Sequence, residues 1–369
     1  MNNRKTIAII GASLGQKCLY EKSREMGLYI IGFAWDKGVL TEDLYDEFHE
    51  ISVKDTKQIA EICQNRHVDG VVTNASEFLI PLASEVGERL GLIYTPARVI
   101  RSIQDKEKVR EITSHIQGLS VPKYQIYNEV DREELPFPCV VKPVRGAAKK
   151  GVSFCRNLGD LSKAVSYAGK DERILVEEYI PGREISIESL SYRGNHTIVQ
   201  VTDKDSSGPP HFVELGHHQP SSIDEAQKQR VRDCVVRILK SVGFQNGATH
   251  IEMKLDGSTG KLYLIEINCR GGGDHISDTL VNLSTDCDFI EELINISLDN
   301  YQPREYRTTG YSGICYLSLQ NKSILKYFTD PVPDWIIYTE RRNSALSEST
   351  SNYDRDGYFI YKSSIKPIL

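Results

Sequence analysis

The chain is predicted to combine two fold classes: an N-terminal α/β domain with a parallel sheet, and a longer α+β part built from antiparallel hairpins. Three observations predict this. Short apolar runs alternate with helical patterns over the first 98 residues, the signature of strands joined by right-handed crossovers. Beyond them, strands come in pairs around glycine-rich turns. Within that second part, Gly247 to Gly273 reads as a hairpin carrying acids, with Asp256-Gly257-Ser258-Thr259-Gly260 as its turn. The expected division is 1–98, an N-terminal α/β domain, 99–190, a linking helix and central subdomain, and 191–369, a C-terminal subdomain holding the acids.

In order, Thr6 to Ile10 is a buried strand, followed by the turn Gly11 to Gly15 and a helix through Met26. Tyr29 to Phe33 is the next strand, Thr56 to Asn65 a helix, Gly70 to Thr73 a strand, and Pro81 to Leu90 a helix. Parallel sheets bind ligands at the carboxyl ends of their strands, which nominates Ser13, Gly15, Asp36, Thr73, Asn74 and Glu77 for a pocket mouth. The glycine turn lacks GxGxxG, which argues against a dinucleotide.

Thr95-Pro96 opens a connecting region, and Asp105 caps a helix that begins at Lys106. The strand Cys139 to Pro143 leads into a loop with Arg145, Lys149, Lys150 and Gly151, and Val152 to Cys155 returns. Small residues let backbone N–H groups approach phosphate oxygens while the lysines add charge; a solvated basic hairpin has the same pattern. Lys142 lies inside an apolar run, where a buried ammonium requires an anion. Arg173 to Ile180 is expected as an edge strand able to offer backbone groups to a base, and Glu184, past Pro181-Gly182, as an acceptor for ribose hydroxyls or a structural acid.

In the acidic hairpin, symmetry about Thr259 sets Glu252 opposite Glu266. Alternation gives one face to His250, Glu252 and Lys254 and the matching face to Leu264, Glu266 and Asn268. Facing carboxylates repel unless a cation lies between them. Oxygen donors of this kind suit Mg2+ or Mn2+, which takes further ligands from water and phosphates. Arg270 follows, placed for an anion; a surface hairpin with scattered acids is the alternative. Further on, Phe289 to Leu298 is a helix, Gly313 to Leu319 and Tyr358 to Tyr361 are strands, and Arg341 to Asp356 is an exposed loop.

Composition limits the function classes. The net charge is -6, from 45 basic and 51 acidic residues, with no basic stripe to attract nucleic acid. No apolar run near the start is long enough for a membrane span. The 8 cysteines form no CxxC pair, which points to reduced thiols in a cytoplasmic protein rather than a zinc site.

Taken in this order, Lys106, Val141-Lys142-Pro143 with Lys150-Gly151, Glu177-Glu178-Tyr179-Ile180 with Glu184, and Glu252, Glu266, Asn268 and Arg270 resemble the ATP-grasp superfamily. The resemblance implies an ATP-grasp fold preceded by a Rossmann-like domain, with ATP and Mg2+ as cofactors. Lys106, Lys142, Lys149 and Gly151 would then face the phosphates; Glu177, Tyr179 and Ile180 the adenine; Glu184 the ribose; and Glu252, Glu266 and Asn268 two Mg2+. Gly208 to Pro220, with its Glu214 and His217, is similar to the L-amino-acid ligase branch. There Glu214, His217, His250, Arg270 and Gly273 would meet amino-acid or amine substrates, and Arg270 and Lys149 would act on the reacting groups. The segments 145–151 and 203–220 would serve as lids over an acyl phosphate. Family members carry an Arg in the strand matched by Gly313 to Leu319, where this chain has Cys315 and Tyr316. A homodimer is a family-level expectation. The competing readings are an ATP-grasp ligase or carboxylase of nucleotide or cofactor biosynthesis, and an ATP-binding module without catalysis.

Overall fold

In the computed structural model the structure describes residues 4–35, 38–41, 43–127, 135–146, 149–169, 173–329 and 331–368. Three sheets organise them. The first contains β1 (Thr6–Ile10), β2 (Tyr29–Ala34), β3 (Glu47–Glu50) and β4 (Gly70–Val72) in the order β3-β2-β1-β4, all parallel. Helices α1 (Leu14–Glu25), α2 (Thr56–Asn65) and α3 (Leu79–Leu90) connect or follow these strands. Ile7 and Ile9 point to one face of β1 and Ala8 and Ile10 to the other, each into its own core, as expected for a parallel sheet covered on both sides. Strand β3 was not foreseen, because Glu47-Phe-His-Glu50 has neither an apolar run nor a polar-apolar alternation.

Two short helices, α4 (Ala97–Ile103) and α5 (Lys106–Thr113), lead out of this domain. Asp105 caps α5 as expected, accepting the Lys108 N–H at 3.2 Å. The second sheet holds β5 (Tyr124–Ile126), β6 (Cys139–Pro143), β7 (Ser153–Cys155) and β8 (Ile174–Glu178) in the antiparallel order β5-β8-β6-β7, with α6 (Leu158–Ala168) packed on it. Strand β8 therefore lies between two partners. The expected edge strand is internal, and beyond its end the Tyr179 N–H still donates to the Pro138 carbonyl at 2.9 Å.

The third sheet is antiparallel and eight-stranded, in the order β13-β12-β9-β10-β11-β14-β16-β15. It comprises β9 (Arg183–Tyr192), β10 (Asn195–Ser206), β11 (Glu214–Gln219), β12 (Gly247–Leu255), β13 (Leu262–Asn268), β14 (Tyr311–Leu317), β15 (Ile336–Arg341) and β16 (Gly357–Ser363). Because β9 belongs to it from residue 183, the change of sheet falls at the Pro181-Gly182 turn; a boundary at 190 would cut a strand. One face buries Ile185, Ile187, Val201, Ile251, Met253 and Leu255 beneath α7 (Glu225–Ser241), whose Val231, Val235 and Ile238 recur at helical spacing. The other face is polar and fronts a cavity. After β13 come a π-helical turn, Ile276–Leu280, and the helices α8 (Val281–Ser284) and α9 (Phe289–Ser297). No helix among the described residues is long and apolar enough to cross a membrane, and all 8 cysteines are free.

Candidate active site

A cavity of about 580 Å³ lies where the three sheets meet. Every residue named above for nucleotide, metal or substrate lines it except Gly151. Gly151 instead closes the basic hairpin: it is at φ +77°, and a Cβ there would come within 3.1 Å of Pro143 and of Ala168 on α6. Of the six pocket-mouth candidates, Gly15 and Asn74 reach the cavity. Ser13 bonds to the Gln16 side chain, Thr73 donates to the Ile10 carbonyl, and Glu77 pairs with Arg270 at 3.0 Å. Asp36 lies outside the described residues.

The acidic hairpin supplies the centre. Glu252 is the register partner of Glu266, and His250 of Asn268. Beyond Glu252 the register shifts, pairing Met253 with Leu264; the extra residue is Ile265. This bulge corrects one expectation: Leu264 turns into the core, leaving Ile265 with Glu266 and Asn268 on the cavity side. The two carboxylates meet cations from different elements, Lys106 at 2.8 Å from Glu266 and Lys204 at 3.0 Å from Glu252. Burial opposes ionisation of Glu252, but Lys204 and His250 overcome it and hold the carboxyl well below its usual range. His250 bridges Glu188 and Glu252. Burial pulls its pKa down, yet the two carboxylates prevail and raise it to about 9. Glu188 also accepts the Gly272 N–H at 2.9 Å. A Cβ on Gly272 would stand 2.8 Å from both Glu188 and His250, so only glycine passes there.

The basic hairpin is wired differently. Lys142 is ion-paired to Glu177, which also takes two nitrogens of Arg110 on α5. Burial draws Lys142 below the lysine range although Glu177 opposes it; Glu177 is buried too, and Arg110 and Lys142 keep it ionised. Arg110 also donates to the Ile265 carbonyl exposed by the bulge, at 3.0 Å, tying the second sheet to the third. The Glu177 side chain is thus occupied within the protein. At the hinge, Lys254 donates to the Ile180 carbonyl at 3.0 Å, pairs with Glu184 at 3.1 Å, and lies 4.9 Å from the Tyr179 ring centroid.

Glu214 on β11 gathers Lys149 and Lys204, each at 3.0 Å, with His217 Nε2 at 3.5 Å. Its burial alone would favour the neutral acid, but the two ammoniums hold it far below the usual carboxylate range. Lys149 also donates to the Phe212 carbonyl at 2.7 Å, so the basic hairpin and the loop before β11 touch across the cavity. His217 is buried and stands 3.6 Å from Asp274. Its pKa is lowered by burial but raised in net by Asp274 and Glu214.

Sequence reasoning missed several of these residues. Glu188 is a charged position in a strand of buried residues, a signal of an inward-facing site; Lys204, among Asp203, Asp205 and Ser206, carries no such signal, and Arg110 sits on the buried side of α5. The segment read as an exposed loop over 341–356 is irregular and mostly exposed, as expected, but its end folds back on the cavity. Asn352 donates to Glu214 at 3.1 Å, and Arg355 makes a two-pronged pair with Asp274 at 3.0 and 3.1 Å. The Arg355 guanidinium lies 3.4 Å from the Tyr316 ring centroid. A guanidinium therefore does stand over β14, delivered from another segment.

Three sheets closing on a cavity of matched lysines and carboxylates define an α/β and α+β protein with one charged central cavity. Residues 135–278 match the ATP-grasp domain, and the chain has an ATP-grasp fold. The structure superposes on an L-amino acid ligase from Bacillus licheniformis with a TM-score of 0.79 at 21% identity, covering 99% of this chain and 95% of that one. It also superposes on the N5-carboxyaminoimidazole synthetase from Staphylococcus aureus complexed with ADP, with a TM-score of 0.76 at 18% identity over 99% and 95%. In sequence, the chain is 24% identical to mouse carnosine synthase 1 over 87% of its own length and 43% of that protein. It spans about half the length of several curated relatives it matches. ATP-grasp ligases use ATP with Mg2+, and the donor set fits: two facing carboxylates and an amide oxygen, held where lysine ammoniums already supply positive charge.

Proposed function

We propose that the chain is an ATP-dependent carboxylate–amine ligase, joining an L-amino acid to a second amino acid or amine through an acyl phosphate. One observation carries this reading. The Glu252–Glu266 pair and the Glu214–His217 pair open on one cavity and share Lys204 as counter-ion, so a nucleotide site and an ammonium-binding site adjoin. Likeness to the Bacillus ligase and carnosine synthase 1 supports the choice of substrates.

In the first step a carboxylate oxygen attacks the γ-phosphorus, the bond to the bridging oxygen breaks, and ADP leaves. In the second, the amine nitrogen attacks the acyl carbon, the carbon–oxygen bond to phosphate breaks, and phosphate departs; the amine's proton passes to solvent. Bound Mg2+ would supply charge neutralisation between the phosphates, held by Glu252, Glu266 and Asn268. Lys106 faces the same oxygens, and Arg270, anchored by Glu77, is placed to meet the oxyanion of the second step. Tyr179 and Ile180 would meet the base and Glu184 the ribose. Glu214 holds a substrate ammonium in exchange for Lys149, which is then free for phosphate. The contact of Lys149 with Phe212 closes the two loops over the intermediate and keeps water out.

Incubation with ATP, Mg2+ and pooled amino acids tests the proposal. Release of ADP and phosphate with formation of an amide, detected by mass spectrometry, is expected. Turnover that requires bicarbonate, or nucleotide binding without turnover, would overturn it.

A further inference from the structure

The acids around the cavity differ in how their charge is met. Glu177, Glu184, Glu214, Glu252, Glu266 and Asp274 each have a lysine or arginine nitrogen at 3.1 Å or less. Glu178 accepts the Lys123 backbone N–H at 3.3 Å. Asp278 departs from this pattern. It sits in the π-helical turn Ile276–Leu280, an irregularity common at functional sites, and lines the cavity where the N-terminal domain closes it. Among the described residues no lysine or arginine comes within 4.0 Å of it, and its basic neighbour is His275 at 3.5 Å. Its Oδ1 is buried without a hydrogen-bond partner, although the side chain as a whole is 34% exposed.

From the N-terminal domain Leu14, Gly15, Cys18, Asn74 and Ala75 line the same cavity, with Cys18 near enough to Asp278 to feel its charge. A side chain on Gly15 would fill this end, since its Cβ would come within 3.0 Å of the Ala75 Cβ. Burial and the charge of Asp278 push the Cys18 thiol up to about 12, so it stays neutral and adds no second anion. A carboxylate met only by one imidazole, with its other oxygen unpartnered, favours a positive ligand group on a methylene stem that can lie along Leu14 and Ile276.

We infer that this end of the cavity takes a positively charged group of one substrate, so that one of the two joined molecules is a basic α-amino acid or a diamine. This rests on the ligase reading above. The chemistry of that reading sharpens it: the reacting carboxylate is spent as the acyl phosphate, and the reacting amine must be neutral when it attacks. Neither is a lasting cation, and the α-ammonium of the acyl-donating amino acid is the one assigned above to Glu214, so the group held by Asp278 is a further one, such as a side-chain ammonium or guanidinium.

The test is ADP release with ATP, Mg2+ and a pool of neutral amino acids, to which L-lysine, L-ornithine or their uncharged counterparts norleucine and norvaline are added singly. Lysine or ornithine is expected to support turnover at a KM lower than that of the uncharged counterparts by about tenfold or more. Asp278→Asn removes that preference and leaves the KM for ATP unchanged. Cys18→Arg, which installs a resident cation beside Asp278, has the same effect. Preference of the unaltered protein for norleucine, or a lysine KM unmoved in both variants, would overturn the inference. If no amino acid or amine elicits ADP release, the ligase reading fails. Calorimetric binding of lysine that is lost in Asp278→Asn would then sustain the inference alone, and absence of that binding would remove it as well.

Discussion

The two hairpins that face each other across the cavity both carry charge, and they neutralise it in opposite ways. In the β6–β7 region, Lys142, Glu177 and Arg110 form a closed set with side chains 7%, 5% and 1% exposed. In the β12–β13 hairpin, Glu252 and Glu266 are 20% and 27% exposed and are met by ammoniums from β10 and α5. The first set is bonded to itself and cannot exchange partners without leaving a buried charge unmatched. The second is open on one side and can exchange an ammonium for another cation. Charge that holds a fold and charge that holds a ligand are thus told apart by how far the side chains are exposed to the cavity.

Breaking the closed set should cost most. Glu177→Gln is expected to lower the unfolding free energy by about 3–5 kcal/mol, measured by urea denaturation, and a change below about 1 kcal/mol would erase the distinction drawn here. Glu266→Gln addresses the open set. It should reduce ADP formation by about 10²–10³-fold while the urea midpoint moves little; normal turnover in this variant would remove Glu266 from the metal assignment.

An intermediate effect is expected at His250, which links the open set to the core. Its pKa is raised in the folded chain to about 9 against 6.5 for the free side chain. Its contribution to stability is therefore full below about pH 6.5 and is lost as pH rises through about 9. In chelator and without nucleotide, stability should decline by about 1–3 kcal/mol over that window. His250→Gln should flatten the decline, and an unchanged slope would show that another group titrates. The smallest effect is the control: the exposed Lys17–Glu21 pair on α1 should contribute no more than about 0.5 kcal/mol, read as the difference in urea midpoint for Lys17→Ala.

Much of this was legible in the chain because local signals and the tertiary arrangement agree. The acidic hairpin announced its turn, its register at Glu252–Glu266 and its cavity face. Lys142 announced an anionic partner by its apolar neighbours, though not that the partner would be Glu177. What escaped notice depends on contacts distant in sequence. The bulge at Ile265 has no marker residue and is supported by Arg110 from α5. The internal position of β8 is set by β5, a strand of three residues. Ser and Asn in 343–352 read as a solvated loop, yet they bond Asp356 and Glu214, because the same side chains that suit water also suit a polar cavity wall. Helix α4 was hidden behind Pro96, which serves as its N-cap residue rather than as a break.

The eight-stranded sheet has one more implication. Strands β12, β9, β10 and β11 are hydrogen-bonded in succession, so Lys254, Glu184, Lys204 and His217 form a single transverse row at the fixed pitch of about 4.8 Å per strand. The row works as a gauge: the intervening ladders fix the separation of β12, which bears Glu252, from β11, which bears Glu214. Exchanging β11 and its preceding turn for another sequence would therefore change the cavity wall around Glu214 while leaving Glu252 and Glu266 in register.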